Sequence, residues 1–343
     1  MKVFFISRCK IIFLTIVCSS GGISGIVPVA AQETIRQYLS GHDGEHTVPW
    51  DFFCSEGRKS GVWTNIAVPS CWELQGFGKF RYGLEDKPYA PIGGDYRHRF
   101  DVPAAWRGRR VFIVFDGVMT DASVKVNGTD AGPLHQGAFY RFKYDITPLL
   151  KFGEENLLEV SVSDKSANDS VNGAERYADF WVFGGIFRPV WLQVEPTQFV
   201  DRVAIDARAD GAFAMDYFLG GQGDADAVEV ALQDPHGNTV GQPVSVPISA
   251  GRVTTQISAP ELWTAETPAV YTAMIRLKKG SAVLHELKQR FGFRTIEVRA
   301  GDGLYINGRR VLLKGVCHHV AWPTLGRSSQ IGSLSSTLVC FRT

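Results

Sequence analysis

The sequence predicts an all-β protein made of sandwiches in series, and three observations carry that reading. From Tyr96 onward apolar and polar residues alternate with a period near two, which turns one face of a strand inward. Turns rich in glycine and asparagine interrupt the alternation at short intervals. No stretch longer than a few turns shows helical spacing.

The first residues differ from the rest. Lys2, Arg8 and Lys10 precede an apolar run from Ile11 to Val17, and small residues close the segment at Val29-Ala30-Ala31. Positive, then apolar, then small is the layout of a secretory signal peptide over residues 1–31. A membrane anchor would need about 18 unbroken apolar residues, and Ser19, Ser20 and Gly21 interrupt this run. The expectation is an exported protein, periplasmic or secreted, without a stable membrane span. Cys18 raises a lipoprotein alternative, ranked lower because Val17 stands where a small residue is needed.

Residues 32–196 read as a first sandwich. Its strands include Arg109 to Phe115, Ala122 to Val126 and Leu157 to Val162, separated by Asp116-Gly117, Asn127-Gly128 and Phe152-Gly153. A junction falls at Glu195-Pro196-Thr197. Residues 197–295 then carry strands at Val200–Ala207, Val228–Leu232, Val253–Ile257, Val270–Leu277 and Val283–Phe291. Gly220 to Asp224 and Asp234 to Asn238 read as loops between them. Some hundred residues and about seven strands fit an immunoglobulin-like sandwich.

Residues 296–327 begin a third unit. Leu304-Tyr305-Ile306 and Arg310 to Gly315 flank Asn307-Gly308, a hairpin signal. The second strand is apolar nearly throughout, as a strand buried on both faces would be, and it should open a larger β/α body. Residues 328–343, serine-rich at the start, match no continuation of it and read as an aberrant or truncated tail.

Composition narrows the partners. The 343 residues suffice for two ordinary domains, and 45% apolar against 21% charged is a globular balance. Lys+Arg 36 against Asp+Glu 35 leaves no field that would draw nucleic acid. Cys54, Cys71, Cys317 and Cys340 remain beyond the leader, with no CxxC pair and no metal-like spacing. An oxidising compartment permits a Cys54–Cys71 bridge; four free or buried thiols are equally compatible.

A set of motifs resembles one enzyme family. In order they are Val68-Pro69-Ser70-Cys71-Trp72-Glu73, Phe115-Asp116-Gly117-Val118, Val124-Lys125-Val126-Asn127-Gly128 and Tyr144-Asp145-Ile146-Thr147. They continue as Phe183-Gly184-Gly185-Ile186-Phe187-Arg188, Leu262 to Pro268, Phe291-Gly292-Phe293-Arg294, and Leu304 to Gly308 leading into Leu312-Leu313-Lys314-Gly315-Val316. Each is weak alone; eight in order resemble glycoside hydrolase family 2, the β-galactosidases, β-glucuronidases and β-mannosidases.

The resemblance implies a jelly-roll sugar-binding domain, an immunoglobulin-like domain and a TIM barrel, of which only the first strand is present. Barrel enzymes place their reacting groups at the ends of successive strands, and a retaining glycosidase needs two carboxyl groups about 5–5.5 Å apart. In this family both are glutamates on later barrel strands, so no catalytic residue is assigned in this chain. Glu266 and Glu297 read as solvated charges.

Two residues carry over as substrate-binding. Asp179, in Tyr177-Ala178-Asp179-Phe180-Trp181, stands where β-galactosidase-like members place an aspartate that contacts a sugar hydroxyl or a bound cation; its plain reading is a turn aspartate. His319 fits the histidine lining the sugar subsite, although Cys317 replaces an asparagine and Val320 an acid. Trp322-Pro323 and Gly326-Arg327 resemble the loop that follows. His318 and His319, being adjacent on a strand, point to opposite faces and do not share a metal, so no metal or cofactor is expected beyond that optional cation. The expected ligand is a carbohydrate, a β-galactoside or related glycan. The function expected is the N-terminal part of a β-galactosidase-like β-glycosidase, inactive as this chain stands, through a premature stop, a frameshift or a fragmentary gene. The alternatives are a stand-alone carbohydrate-binding or scaffolding module and an adhesion sandwich.

Overall fold

The alternation in Glu155–Ser163 becomes the middle of the first sandwich: Asn156, Leu158, Val160 and Val162 are buried, while Glu155 and Ser161 face water. The structure, a computed structural model, describes residues 32–84, 89–315 and 326–328; residues 1–31, His319 and residues 329–343 lie outside them. The central strand pairs antiparallel with Gly93–Asp101 on one side and Asp121–Val126 on the other, setting Val160 beside Tyr96 and Val124. The six-stranded sheet runs Trp63–Val68, Val48–Cys54, Gly93–Asp101, Glu155–Ser163, Asp121–Val126, Thr129–Asp130. A four-stranded sheet, in the order Phe142–Asp145, Arg110–Phe115, Val190–Glu195, Ile35–Tyr38, packs across it. Trp50, Phe52, Tyr96, Ile113, Phe115, Val160 and Leu192 fill the space between. Each such side chain contributes about 1.5–3 kcal/mol on leaving water, so this core carries the domain.

The second sandwich has its own core around Phe213, Met215, Val230, Tyr271, Ile275 and Phe293. Gln198–Ala207, Ala212–Gly221 and Arg252–Gln256 form one sheet. Ala282–Phe291, Tyr271–Lys279, Ala227–Gln233 and Thr239–Pro247 form the other. Gln32–Glu33, at the start of the described chain, adds a parallel edge strand to this second sheet, with Gln32 opposite His285. The immunoglobulin-like pattern is therefore present, with two strands that alternation alone did not mark. Gly220-Gly221, read as a loop, closes Ala212–Gly221, and Gly241 and Pro243 lie inside Thr239–Pro247.

Ile296–Arg299, Gly303–Ile306 and Arg309–Val311 form a small antiparallel sheet. Its turn uses Asn307 at φ 52° and Gly308 at φ 75°, the left-handed pair that a two-residue hairpin requires. The Asn307 side chain accepts from the Thr295 amide at 2.9 Å and donates to the Trp263 carbonyl at 3.0 Å, fixing the turn to the second sandwich. The strand expected to run to Gly315 ends at Val311. Its ladder runs out there, because Val311 pairs with Leu304 and the partner strand begins one residue earlier. Leu312 and Leu313 stand 79% and 76% exposed. Among the described residues no helix is long and apolar enough to cross a membrane.

Candidate functional site

Asp179 reaches the surface through a short, tightly held loop. The helix Asp169–Glu175 starts at Asn168, whose side chain accepts from the Ser170 amide, and delivers Arg176 into the protein. Arg176 is 3% exposed and donates through Nη1 to the Phe183 carbonyl at 2.8 Å and to Thr120 Oγ1 at 3.1 Å. Glu175 accepts from the Ala138 amide at 2.8 Å. The loop is thus tied at both ends, and Tyr177 to Phe180 arch outward between them.

A strand far away in sequence meets this arch. Trp181–Val182 pairs antiparallel with Arg81–Tyr82, and the Tyr82 hydroxyl donates to Asp179 Oδ1. That bond stabilises the neutral phenol, and the Tyr82 pKa rises. The next residue, Gly83, donates to the Phe180 carbonyl at 2.9 Å. A Cβ on Gly83 would lie 2.3 Å from the Ala178 carbonyl oxygen, so only glycine admits the loop at this distance. Phe80 and Tyr82 meet the Trp181 ring edge to face, at 6.2 and 5.3 Å between centroids. Phe80 and Trp181 are about half exposed, leaving an aromatic surface next to an exposed carboxylate.

Beneath the arch lies buried charge. Glu73 accepts from the Gly184 amide with both carboxylate oxygens, at 3.0 and 3.1 Å. Burial pushes its pKa up to about 8, against the opposing pull of that amide and of Arg176. Asp164 accepts from the Ile92 amide at 2.8 Å, and burial raises its pKa too. Cys71, Met119, Ala138, Phe183 and Phe187 make a small apolar cluster here, separate from the main core.

Of the predicted site residues, Asp179 is therefore an exposed, oriented acceptor, and His319 lies outside the described residues. Tyr82, Phe80 and Arg176 went unmarked in the sequence because each acts through pairings with distant segments; Glu73 was visible only as the end of a motif. The expected optional cation finds one carboxylate in Asp179, and among the described residues no cluster of three metal-ligating side chains occurs. The Cys54–Cys71 bridge is not formed: both thiols are free and buried, and burial pushes the Cys71 thiol up to about 12.

Two unlike sandwiches in series, the first presenting a carboxylate beside half-exposed rings, make up most of the described chain. Residues 60–196 match the model of the glycosyl hydrolases family 2 sugar binding domain, and residues 201–294 match a second model described as glycosyl hydrolases family 2. The chain belongs to glycoside hydrolase family 2. It is 32% identical to a β-galactosidase of Priestia megaterium over 300 residues, covering 78% of this chain and 28% of that protein. A β-galactosidase of Arthrobacter sp. is 31% identical, covering 80% and 27%. The structure of the β-glucuronidase from Ruminococcus gnavus in complex with D-glucuronic acid has a TM-score of 0.73 at 23% identity, covering 92% of this chain and 56% of that one. At that identity the likeness is one of fold. The chain spans roughly a quarter to a third of the curated relatives it matches, 28% and 27% of the two named.

Proposed function

We propose that this chain forms the sugar-facing β-domains of an exported β-glycosidase that hydrolyses β-galactosides, with Asp179 as a direct sugar contact. The observation that supports it most is the Asp179–Tyr82 pair on a family 2 jelly roll. Tyr82 occupies Asp179 Oδ1, which leaves Oδ2 to accept from a substrate hydroxyl; a carboxylate accepts and never donates, so it selects hydroxyl donors. The adjacent Trp181 face offers stacking to the C–H side of a sugar ring. The acid/base and nucleophile that retaining hydrolysis requires would come from glutamates of a catalytic barrel joined to these domains, with His319 lining the same subsite. Residues 1–31 would direct export and be removed, which N-terminal sequencing of the mature protein checks.

The test is a chimera in which residues 32–328 replace the matching part of the Priestia megaterium β-galactosidase. Asp179→Ala should lower kcat/KM for aryl β-galactoside by about ten-fold or more, since leaving a desolvated sugar hydroxyl unpaired costs about 1–3 kcal/mol. Unchanged kinetics would return Asp179 to the role of a turn residue. The exposed Phe80 and Trp181 rings favour one second reading, a stand-alone carbohydrate-binding module. Saturable galactose binding by the chain alone at micromolar concentration would select it over the enzyme reading.

A further inference from the structure

Residues 326–328 return from beyond the second sandwich to the first. Gly326 packs on Cys71 and Leu74, at φ +56°, so closely that a Cβ there would come within 2.7 Å of Leu74 Cδ1 and 3.1 Å of Cys71 Sγ. Ser328 is 4% exposed, and its carbonyl accepts from the Gly44 amide at 3.0 Å. The Arg327 guanidinium sits over two aromatic rings at once, 5.1 Å from the centroid of Phe139 and 4.8 Å from that of Phe180.

Phe180 is the residue after Asp179. Its carbonyl is held by Gly83 and its ring by Arg327, so the arch is clamped from backbone and side chain together. Phe139 in turn meets Phe187 edge to face at 6.4 Å, which connects the clamp to the apolar cluster around Cys71. A guanidinium over two rings is drawn to the electron-rich face of each, and its stem covers apolar surface that would otherwise be wet.

We infer that Gly326–Ser328 is a latch and that Arg327 is a positioning residue for Asp179, sealing the sandwich over Cys71 and fixing the loop that presents the carboxylate. The latch follows from the contacts above; only its consequence for sugar binding rests on the reading of Asp179 as a sugar contact. The two are separable, because Asp179→Asn should leave the latch closed.

The experiment uses the full chain and two readouts: the rate of Cys71 alkylation by N-ethylmaleimide, mapped by mass spectrometry with buried Cys54 as internal reference, and amide exchange of residues 177–183. Arg327→Ala should raise Cys71 labelling by on the order of ten-fold, the scale of a partly buried cation–π contact. It should also speed exchange in 177–183 and leave Cys54 unchanged. Arg327→Lys, which keeps a cation over the rings, should restore most of the protection. Gly326→Ala should open the latch by collision. Unchanged Cys71 labelling in Arg327→Ala overturns the latch. Faster labelling with unchanged exchange in 177–183 overturns the positioning role. Where Arg327→Ala exposes Cys54 as well, the domain has unfolded, and Arg327→Met, which keeps the stem without the charge, decides by the same two readouts.

Discussion

His285 and Glu195 face each other where the two sandwiches meet, with His285 Nε2 3.5 Å from Glu195 Oε2 and both side chains almost fully buried. His285 Nδ1 accepts from the Val200 amide at 3.1 Å, so the ring proton resides on Nε2. Thr34 Oγ1 lies 3.2 Å from that nitrogen and donates to Glu195 Oε2 at 2.7 Å. The contact is thus a relay from a neutral imidazole through a hydroxyl to a carboxylate. Burial, with Arg109 nearby, lowers the His285 pKa to about 4, which agrees with a ring whose Nδ1 is already used as an acceptor.

That histidine predicts an acid limb. Its folded pKa of about 4 lies below the ordinary 6.5, so the unfolded chain binds the extra proton and stability falls as pH drops from about 6.5 toward 4. The slope can reach about 1.4 kcal/mol per pH unit within that window. His285→Gln should flatten this limb while costing about 1–3 kcal/mol at pH 7, from the Val200 amide left without its acceptor. Urea midpoints from pH 4 to 7 measure both; an unflattened limb would assign the acid sensitivity to other groups.

Glu73 acts with the opposite sign. Its folded pKa of about 8 lies above the ordinary 4.5, so the folded state holds the proton longer and stability is lost as pH rises from about 4.5 to about 8. Asp164, also raised by burial, adds to the same trend. Glu73→Gln should therefore leave the protein more stable than its parent at pH 8 and close to it at pH 5, read from urea unfolding at the two values.

Gly83→Ala should destabilise the arch by about 1–3 kcal/mol, because its Cβ would meet the Ala178 and Arg176 carbonyl oxygens at 2.3 and 2.6 Å. Faster amide exchange at residues 177–183 would accompany the loss. A neutral result in thermal unfolding would mean that the arch can retreat from Gly83.

Tyr82→Phe removes the donor to Asp179 while keeping the ring against Trp181. In the chimeric enzyme kcat/KM should fall by about ten-fold or more, the scale of one hydrogen bond to a charged group. The aromatic contacts should leave thermal stability within about 0.5 kcal/mol of the parent.

Much of the architecture was legible because alternation is written residue by residue. Glu155–Ser163 shows its buried face directly in sequence. Where glycine or proline interrupts the pattern, as at Gly220-Gly221 and Pro243, a strand looks like a loop until its neighbours supply the pairing. Leu312 and Leu313 mislead in the other direction, since apolar character marks a strand only when a ladder exists to receive it. At the site, Asp179 was visible through its motif. Tyr82 was not, because its role depends on a two-residue pairing with Trp181–Val182 that carries no periodic signal.

The parallel pairing of Gln32–Glu33 with the strand containing His285 governs the order in which the molecule can be finished. Emerging from a ribosome, these residues must wait for some two hundred and fifty more, as the separation of 251 between Thr34 and His285 shows. Until then neither the last edge of the second sandwich nor the Thr34 relay exists. Contacts so distant along the chain are slow to close, so the joint between the sandwiches is made late in synthesis and shields its unpaired edge late.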